Sequence, residues 1–260
     1  MKILFVGDVV GRGGRRVLRE KLPELKEEHG IDFTIANVEN AAGGFGITSL
    51  IAEQILGFGV DVMTSGNHIW DKKESFQCLD HEPRLLRPGN YPPGVPGRSS
   101  YVGESYEGIN IAVVNVQGRV FMPMIDCPFR FMEQTLPGLR EQAYVVIVDL
   151  HAEATSEKMA LGWFLDGKVT AVLGTHTHVP TADTRILPDG TAYVTDVGMT
   201  GSYESVIGMK VEESLNRFLT GLHTRFEPAV QNPRLCGVVI DVDDDTGKAR
   251  SITRCQRDLD

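Results

Sequence analysis

Short runs rich in β-branched residues recur along the first two thirds of the chain, at residues 3–7, 33–38, 60–66, 144–150 and 169–173. Between them lie amphipathic stretches, for example at 14–28, 48–58 and 152–165. That alternation is the βαβ rhythm of a largely parallel sheet whose faces are covered by helices, an α/β fold. Beyond residue 178 the pattern changes. Runs at 191–197, 234–242 and 248–254 predict strands, and Asp243-Asp244-Asp245-Thr246-Gly247 predicts a hairpin turn between the last two, so the sheet is expected to finish antiparallel. The segment from Arg87 to Gly97 holds too much proline and glycine for regular structure and reads as a long surface loop, either functional or a plain connector.

A chain of 260 residues can bury a large core, and one domain over residues 1–260 is expected. The net charge of −9 argues against a protein that grips long nucleic acid through its overall field, because such binding needs Lys and Arg to neutralise phosphates. The first strand begins at Lys2, with no leader before it, and no run approaches the roughly 20 apolar residues of a membrane helix. A cytoplasmic protein with no membrane partner is the expectation. Cys78, Cys127, Cys236 and Cys255 are scattered, without C-x-x-C spacing, and read as reduced core or surface residues.

The ends of the strand-like runs carry the chemistry. They are followed by Asp8, by Glu39-Asn40, by Asn67-His68, by His151, and by His176 and His178 of Gly174-Thr175-His176-Thr177-His178. In open α/β sheets the site lies at the carboxyl ends of the strands, so these residues are expected in one cleft. A lone Asp or Asn there would be a turn or cap residue, but five strand ends carrying ligand types together point to metal. Carboxylate, amide oxygen and imidazole without thiolate suit divalent manganese or iron, or catalytic zinc, better than a closed structural zinc site. The set is too large for one ion. Two ions about 3.5–4 Å apart, sharing a carboxylate, would generate a metal-bound hydroxide and clamp a phosphoryl group for in-line attack.

Gly7-Asp8, Val38-Glu39-Asn40, Gly66-Asn67-His68, His151 and Gly174-Thr175-His176-Thr177-His178 resemble the ordered blocks of the calcineurin-like metallophosphoesterases. The stretches at 7–12, 39–46, 65–71, 175–183 and 195–201 resemble more closely the bacterial YmdB-like branch, and the likeness spans almost the whole chain. The resemblance implies a two-sheet αββα sandwich, a dinuclear centre and phosphodiesterase activity that includes cyclic nucleotides. It implies that Glu39 bridges the ions, that Asp8, Asn40 and His178 complete one site, and that Asn67, His151 and His176 complete the other. His68 would be the general acid that protonates the leaving oxygen. The chain departs from the wider superfamily where its first block reads Asp8-Val9-Val10 rather than Asp-x-His, making Asn40 the substitute ligand. It departs again where Glu39 replaces the bridging Asp, and where Ile69 follows the catalytic histidine, leaving Asp71 to orient it.

Other signals are open to two readings. Gly11-Arg12-Gly13-Gly14 lacks dinucleotide-loop spacing and suits a helix start, while residues 41–46 form a second glycine-rich turn that either meets phosphate or merely turns. Asp196 and residues 198–201 are candidates for the cleft edge, and Asp183 for a partner of a ligand imidazole. His29, His81 and His223 match no strand end and read as surface residues; Phe45, Trp70 and Tyr91 offer either base stacking or packing. The expected partner is a small nucleotide or other phosphodiester. A phosphomonoesterase or RNA nuclease of the same mechanism, and a regulatory metal-binding interaction protein, are the alternatives; oligomeric state is left open.

Overall fold

The computed structural model describes residues 1–259. Along the chain, β1 (Lys2–Val6), β2 (Asp8–Val9), α1 (Gly11–His29), β3 (Phe33–Asn37), α2 (Ser49–Gly57) and β4 (Val62–Thr64) precede a 3₁₀ turn over Asn67–Trp70. Then come α3 (Lys73–His81), β5 (Ser100–Glu104), β6 (Asn110–Gln117), α4 (Pro128–Arg140), β7 (Val145–His151), α5 (Thr155–Leu165) and β8 (Ala171–Thr175). The last third holds β9 (Arg185–Ile186), β10 (Ala192–Val194), β11 (Met199–Ser202), α6 (Val211–Thr220), β12 (Pro233–Val242) and β13 (Ala249–Asp258).

These strands make two sheets. Seven strands form the first, in the order β2-β11-β12-β1-β3-β4, with β13 beside β12; six form the second, in the order β5-β6-β7-β8-β10-β9. Within the first, β1, β3 and β4 are parallel, and the β12–β13 hairpin adds antiparallel pairs. Within the second, β6, β7, β8 and β10 are parallel, between antiparallel edges β5 and β9. The parallel βαβ units and the antiparallel finish match expectation. One predicted strand does not: residues 191–197 contain β10 only as far as Val194, and the chain then crosses to the first sheet, where Met199 of β11 lies in register with Asp8.

The alternation of side chains across each strand explains the layering. Ile3, Phe5 and Ile35 from the first sheet face Ile111, Val113 and Ile147 from the second, forming the core between the sheets. Their neighbours point outward. Leu4, Val6 and Ala36 pack under Val17, Leu18 and Leu22 of α1, while Val114, Val146 and Val148 pack under Met132 of α4 and Leu161 of α5. Both faces of the central strands β1, β3, β6, β7 and β8 are therefore dry, which is why they read as continuous apolar runs.

Gly11-Arg12-Gly13-Gly14 opens α1, and a side chain at Gly14 would run into the Thr200 carbonyl of β11. Those glycines serve close packing of helix on sheet. The proline-rich segment 87–97 is irregular, as predicted, and carries the chain from the first sheet to edge strand β5 of the second. It is not a free surface loop throughout. Its Asn90 is buried, donating to the carbonyls of Gln117 and Asp126, and Tyr91 packs edge-on to Trp70 at 5.3 Å. The four cysteines are free, three of them buried.

Because Ile147 sits in the dry layer between the sheets, Ile147→Ala should lower stability by about 2–5 kcal/mol, read as a shifted urea midpoint. Truncation of the exposed Met124 should leave the midpoint in place; equal shifts would show that the inter-sheet layer is not the core.

Candidate metal centre

All five predicted strand ends converge at one edge of the two sheets. Asp8 comes from β2, Glu39 and Asn40 from the turn after β3, Asn67 and His68 from the 3₁₀ turn after β4, His151 from the end of β7, and His176 and His178 from the loop after β8. Gly66 lets these turns close on one another, since a side chain there would overlap the His151 ring and Glu39 Oε2. Two groups of ligand atoms result, Glu39 with His151 and His176, and Asp8 with Glu39 and His178, each lying within 4.8 Å. Glu39 belongs to both.

Hydrogen bonds set the tautomer of each imidazole. Thr175 Oγ1 donates to Asp149 Oδ1 at 2.7 Å, so its lone pair accepts from His151 Nδ1 at 3.0 Å and leaves Nε2 bare. Ile207 O can only accept, so His178 Nδ1 carries its proton at 2.8 Å and Nε2 turns toward Asp8 Oδ1, 3.9 Å away. His176 Nε2 faces Glu153 Oε2 at 3.2 Å, leaving Nδ1 directed inward. Three lone pairs thus point into the cluster. His151 Nε2 and His176 Nδ1 end 3.0 Å apart, and His151 Nε2 also meets Glu39 Oε1 at 3.0 Å and Asn67 Oδ1 at 3.1 Å.

So many acceptors facing one another require a cation or a proton between them. Buried Asp8 Oδ1 and Asn40 Oδ1 have no hydrogen-bond partner, although Asn40 Nδ2 is fixed by donation to Gly44 O at 2.9 Å. Burial pushes the Asp8 carboxyl up, against the pull of His178 and His151. Burial also works to raise Glu39, but the charge and hydrogen bond of His151 outweigh it and hold that carboxyl at about 2. The His151 ring is raised in turn, Glu39 overcoming burial, while burial and the His151 charge push His176 down to about 3. The donor set fits divalent transition-metal ions, with oxygen donors concentrated around Asp8 and imidazoles around His151.

A buried ion pair supports the histidine loop. His176 and His178 adopt φ of 95° and 63°, a left-handed backbone that costs side-chain-bearing residues of order 1–3 kcal/mol each. Asp196 holds that turn: its Oδ2 accepts from Thr177 N at 3.1 Å, Thr177 Oγ1 at 2.6 Å and Lys158 Nζ at 2.8 Å, and its Oδ1 accepts from Gly198 N at 2.8 Å. Lys158 donates also to Thr175 O at 2.7 Å. Asp196 is thus a buried strut rather than a cleft edge, and residues 199–201 lie in β11. Asp183 binds Thr181 and Thr195 and touches no imidazole. Lys158 gave no signal in the sequence, where it looks like a solvent-facing helix residue; Asn37 and Asp149, which hydrogen-bond to each other at 2.9 Å, were likewise missed, their only signal being a polar residue inside an apolar strand.

His68 lies beside the cluster, its N–H on Glu39 Oε2 at 3.1 Å and its Nδ1 2.9 Å from Asp71 Oδ2. Asp71 therefore orients the ring as expected. Phe45 meets His68 edge-on at 5.0 Å, while Trp70 packs with Phe76 and Tyr91. The Ala41–Gly46 turn directs the Gly44 carbonyl onto Asn40, so it positions a site residue. His29, His81 and His223 stand apart from the cluster.

Removing one partner of a fully buried ion pair strands the other's charge. Lys158→Met should therefore cost about 3–5 kcal/mol in urea unfolding. The double variant Lys158→Met/Asp196→Asn should cost less than Lys158→Met alone; an equal or greater loss would show that packing, not stranded charge, is responsible.

Comparison with known proteins places this chain in a recognised group. The model of the YmdB-like protein family matches residues 4–255. The chain is 50% identical over 255 residues to the 2',3'-cyclic-nucleotide 2'-phosphodiesterase of Bacillus subtilis, covering 98% of this chain and 96% of that protein. A structure described as a novel phosphatase from Mycoplasma pneumoniae superposes with a TM-score of 0.93 at 36% identity, over 99% of this chain and 93% of that one. The calcineurin-like phosphoesterase YfkN of Bacillus subtilis, at 9% identity and a TM-score of 0.54 over 99% of this chain and 90% of that one, shares the fold. A lone-pair-lined cleft at the meeting of two sheets, on a calcineurin-like scaffold and with a family match over nearly its full length, makes this chain a member of the YmdB-like family.

Proposed function

We propose that this protein is a dinuclear metal-dependent phosphodiesterase that hydrolyses 2',3'-cyclic nucleotides or related small phosphodiesters. The observation that carries the reading is the set of lone pairs facing one another around Glu39, with His68 beside them. The name of the 50% identical Bacillus relative supports the substrate class. Asp8, Asn40 and His178 would hold one ion, Asn67, His151 and His176 the other, with Glu39 shared. When bound, the ions lower the pKa of a water nucleophile and neutralise charge on the transferring phosphoryl group. Manganese or iron suits the oxygen-rich half best, with zinc as a further fit. Among the described residues no helix is long and apolar enough to cross a membrane, and we assign the protein to the cytoplasm.

The chain's own residues supply orientation and a proton. Glu39 and the imidazoles would hold the ions that anchor the phosphate beside His68, while Asp71 holds His68 Nδ1 and leaves Nε2 to face the leaving oxygen. As a P–O bond to the 2' oxygen breaks and water's oxygen bonds to phosphorus, releasing a proton to solvent, His68 protonates the departing alkoxide and regains its proton from solvent, leaving a nucleoside 3'-phosphate.

With manganese, the protein should convert a 2',3'-cyclic nucleotide to its 3'-monophosphate and cleave a bis-aryl diester faster than the matching monoester. The reverse order would favour the phosphatase reading suggested by the Mycoplasma relative's description.

His68→Ala separates acid catalysis from metal binding. Elemental analysis should still find about two ions per chain. Turnover of cyclic nucleotides should fall by roughly 10²–10⁴-fold, and that of an activated aryl diester, whose leaving group departs unaided, by much less. Loss of metal, or equal losses on both substrates, would make His68 a ligand or a positioning residue instead.

A further inference from the structure

The cleft that contains the proposed catalytic centre has two chemically different sides. Its volume is about 370 Å³, within the range of small-ligand sites. Glu39, Asn40, His68, His176 and His178 make the polar side. The same cleft is lined by Phe45, Ile207, Met209, Phe218 and Phe226, with the Arg217 guanidinium among them. Phosphoryl transfer uses none of these apolar groups. Phe218 is 80% exposed at the end of α6, a position with no folding rationale, since an aromatic ring left in water contributes nothing to the core.

The wall is nonetheless fixed relative to the reacting centre. The Ile207 carbonyl accepts the Nδ1 proton of His178 at 2.8 Å, joining the first turn of the wall directly to a proposed metal ligand. The segment then folds back on itself through Val206 and Met209, Lys210 N to Glu227 O at 2.9 Å, and Ala229 N to Gly208 O at 2.9 Å. At the other end, Phe45 is held edge-on against His68. A flat apolar group attached to a phosphate at the centre would meet this wall at a set distance.

We propose that Phe218, Phe226 and Phe45 form a nucleobase subsite, in which the base stacks on the aromatic wall while the phosphate occupies the polar side. Arg217 donates to ring nitrogens or carbonyl oxygens of the base, a role suited to its planar fork of N–H groups. The inference rests on the phosphodiesterase reading and deepens it: the protein selects nucleotides over other phosphodiesters by stacking, with tolerance for the identity of the base, because every base has a π-face.

The test compares adenosine 2',3'-cyclic phosphate with 1-O-methylribose 2',3'-cyclic phosphate, which keeps the reacting ester and lacks the base. The manganese-loaded wild-type protein should prefer the nucleotide by roughly 5- to 150-fold in kcat/KM, chiefly through KM. Phe218→Ala and Phe226→Ala should each shrink that preference, and Phe218→Trp should restore it. Calorimetry supplies a readout independent of turnover: adenosine 3'-phosphate should bind more tightly than ribose 3'-phosphate, and the gap should close in Phe218→Ala. Equal wild-type rates and equal affinities for the paired ligands would overturn the subsite while leaving the phosphodiesterase reading intact. Loss of turnover on both substrates with the affinity gap preserved would strike the reaction and spare the subsite. If Phe218→Ala instead changes the mass in solution and slows both substrates alike, the exposed ring belongs to an interface between copies, and the proposal fails.

Discussion

Two carboxylates buried at the rim where the sheets meet govern the rest of this structure. Asp8 and Glu39 are 0% and 1% exposed, and a buried carboxylate without a counter-charge is among the most expensive features a protein can carry. The buried Lys158 does not relieve them, since it is committed to Asp196 and Thr175. What surrounds them are amides and imidazoles whose ring nitrogens turn inward, an environment that asks for divalent cations. The fold tolerates this cost because the residues bearing it are held on strand ends and tight turns of a rigid double sheet.

Support for the cluster is layered. Asp149 fixes Thr175, which fixes the His151 tautomer; Glu153 and Ile207 do the same for His176 and His178. The strained His176-Thr177-His178 turn is bound through Thr177 to a buried ion pair rather than through the histidines themselves, which leaves their ring nitrogens available. Such outer contacts set ring orientation and basicity as effectively as the ligands' own positions do. The same Ile207 carbonyl that accepts from His178 also begins the apolar wall, so the candidate ligand and the wall share one fixed point.

Much of the fold was legible because the chain writes it in short apolar runs. β1, β3, β7, β8 and β12 fall within one or two residues of their predicted places, as does α2, while β13 starts where expected but runs four residues further, to Asp258. α1 begins three residues before the amphipathic stretch, at Gly11, in keeping with the helix start read from its glycines, and Gly14 packs against β11. Strands β5 and β6 and helices α3, α4 and α6 went unmarked. β5 is a half-exposed edge beside a proline-rich connector and shows no clean period, whereas α6 is amphipathic but leaves Val211, Leu215, Phe218 and Leu219 exposed rather than packed in a core.

The sequence by itself determined which residue types stand at the strand ends, and hence the metal chemistry, because a parallel α/β sheet must deliver its strand ends to one edge. It also carried Asp71 three residues after His68, close enough to orient it. Only the tertiary structure decided that Asp196 is a strut paired with Lys158, that Asp183 is uninvolved with the imidazoles, and that Phe218 and Phe226 face the catalytic cleft. The physical reason is distance along the chain. Strand-end ligands are announced by local pattern, whereas Lys158 meets Asp196 across 38 residues and the aromatic wall meets Glu39 across most of the fold. Contacts of that span depend on how two sheets pack, and no local period records it.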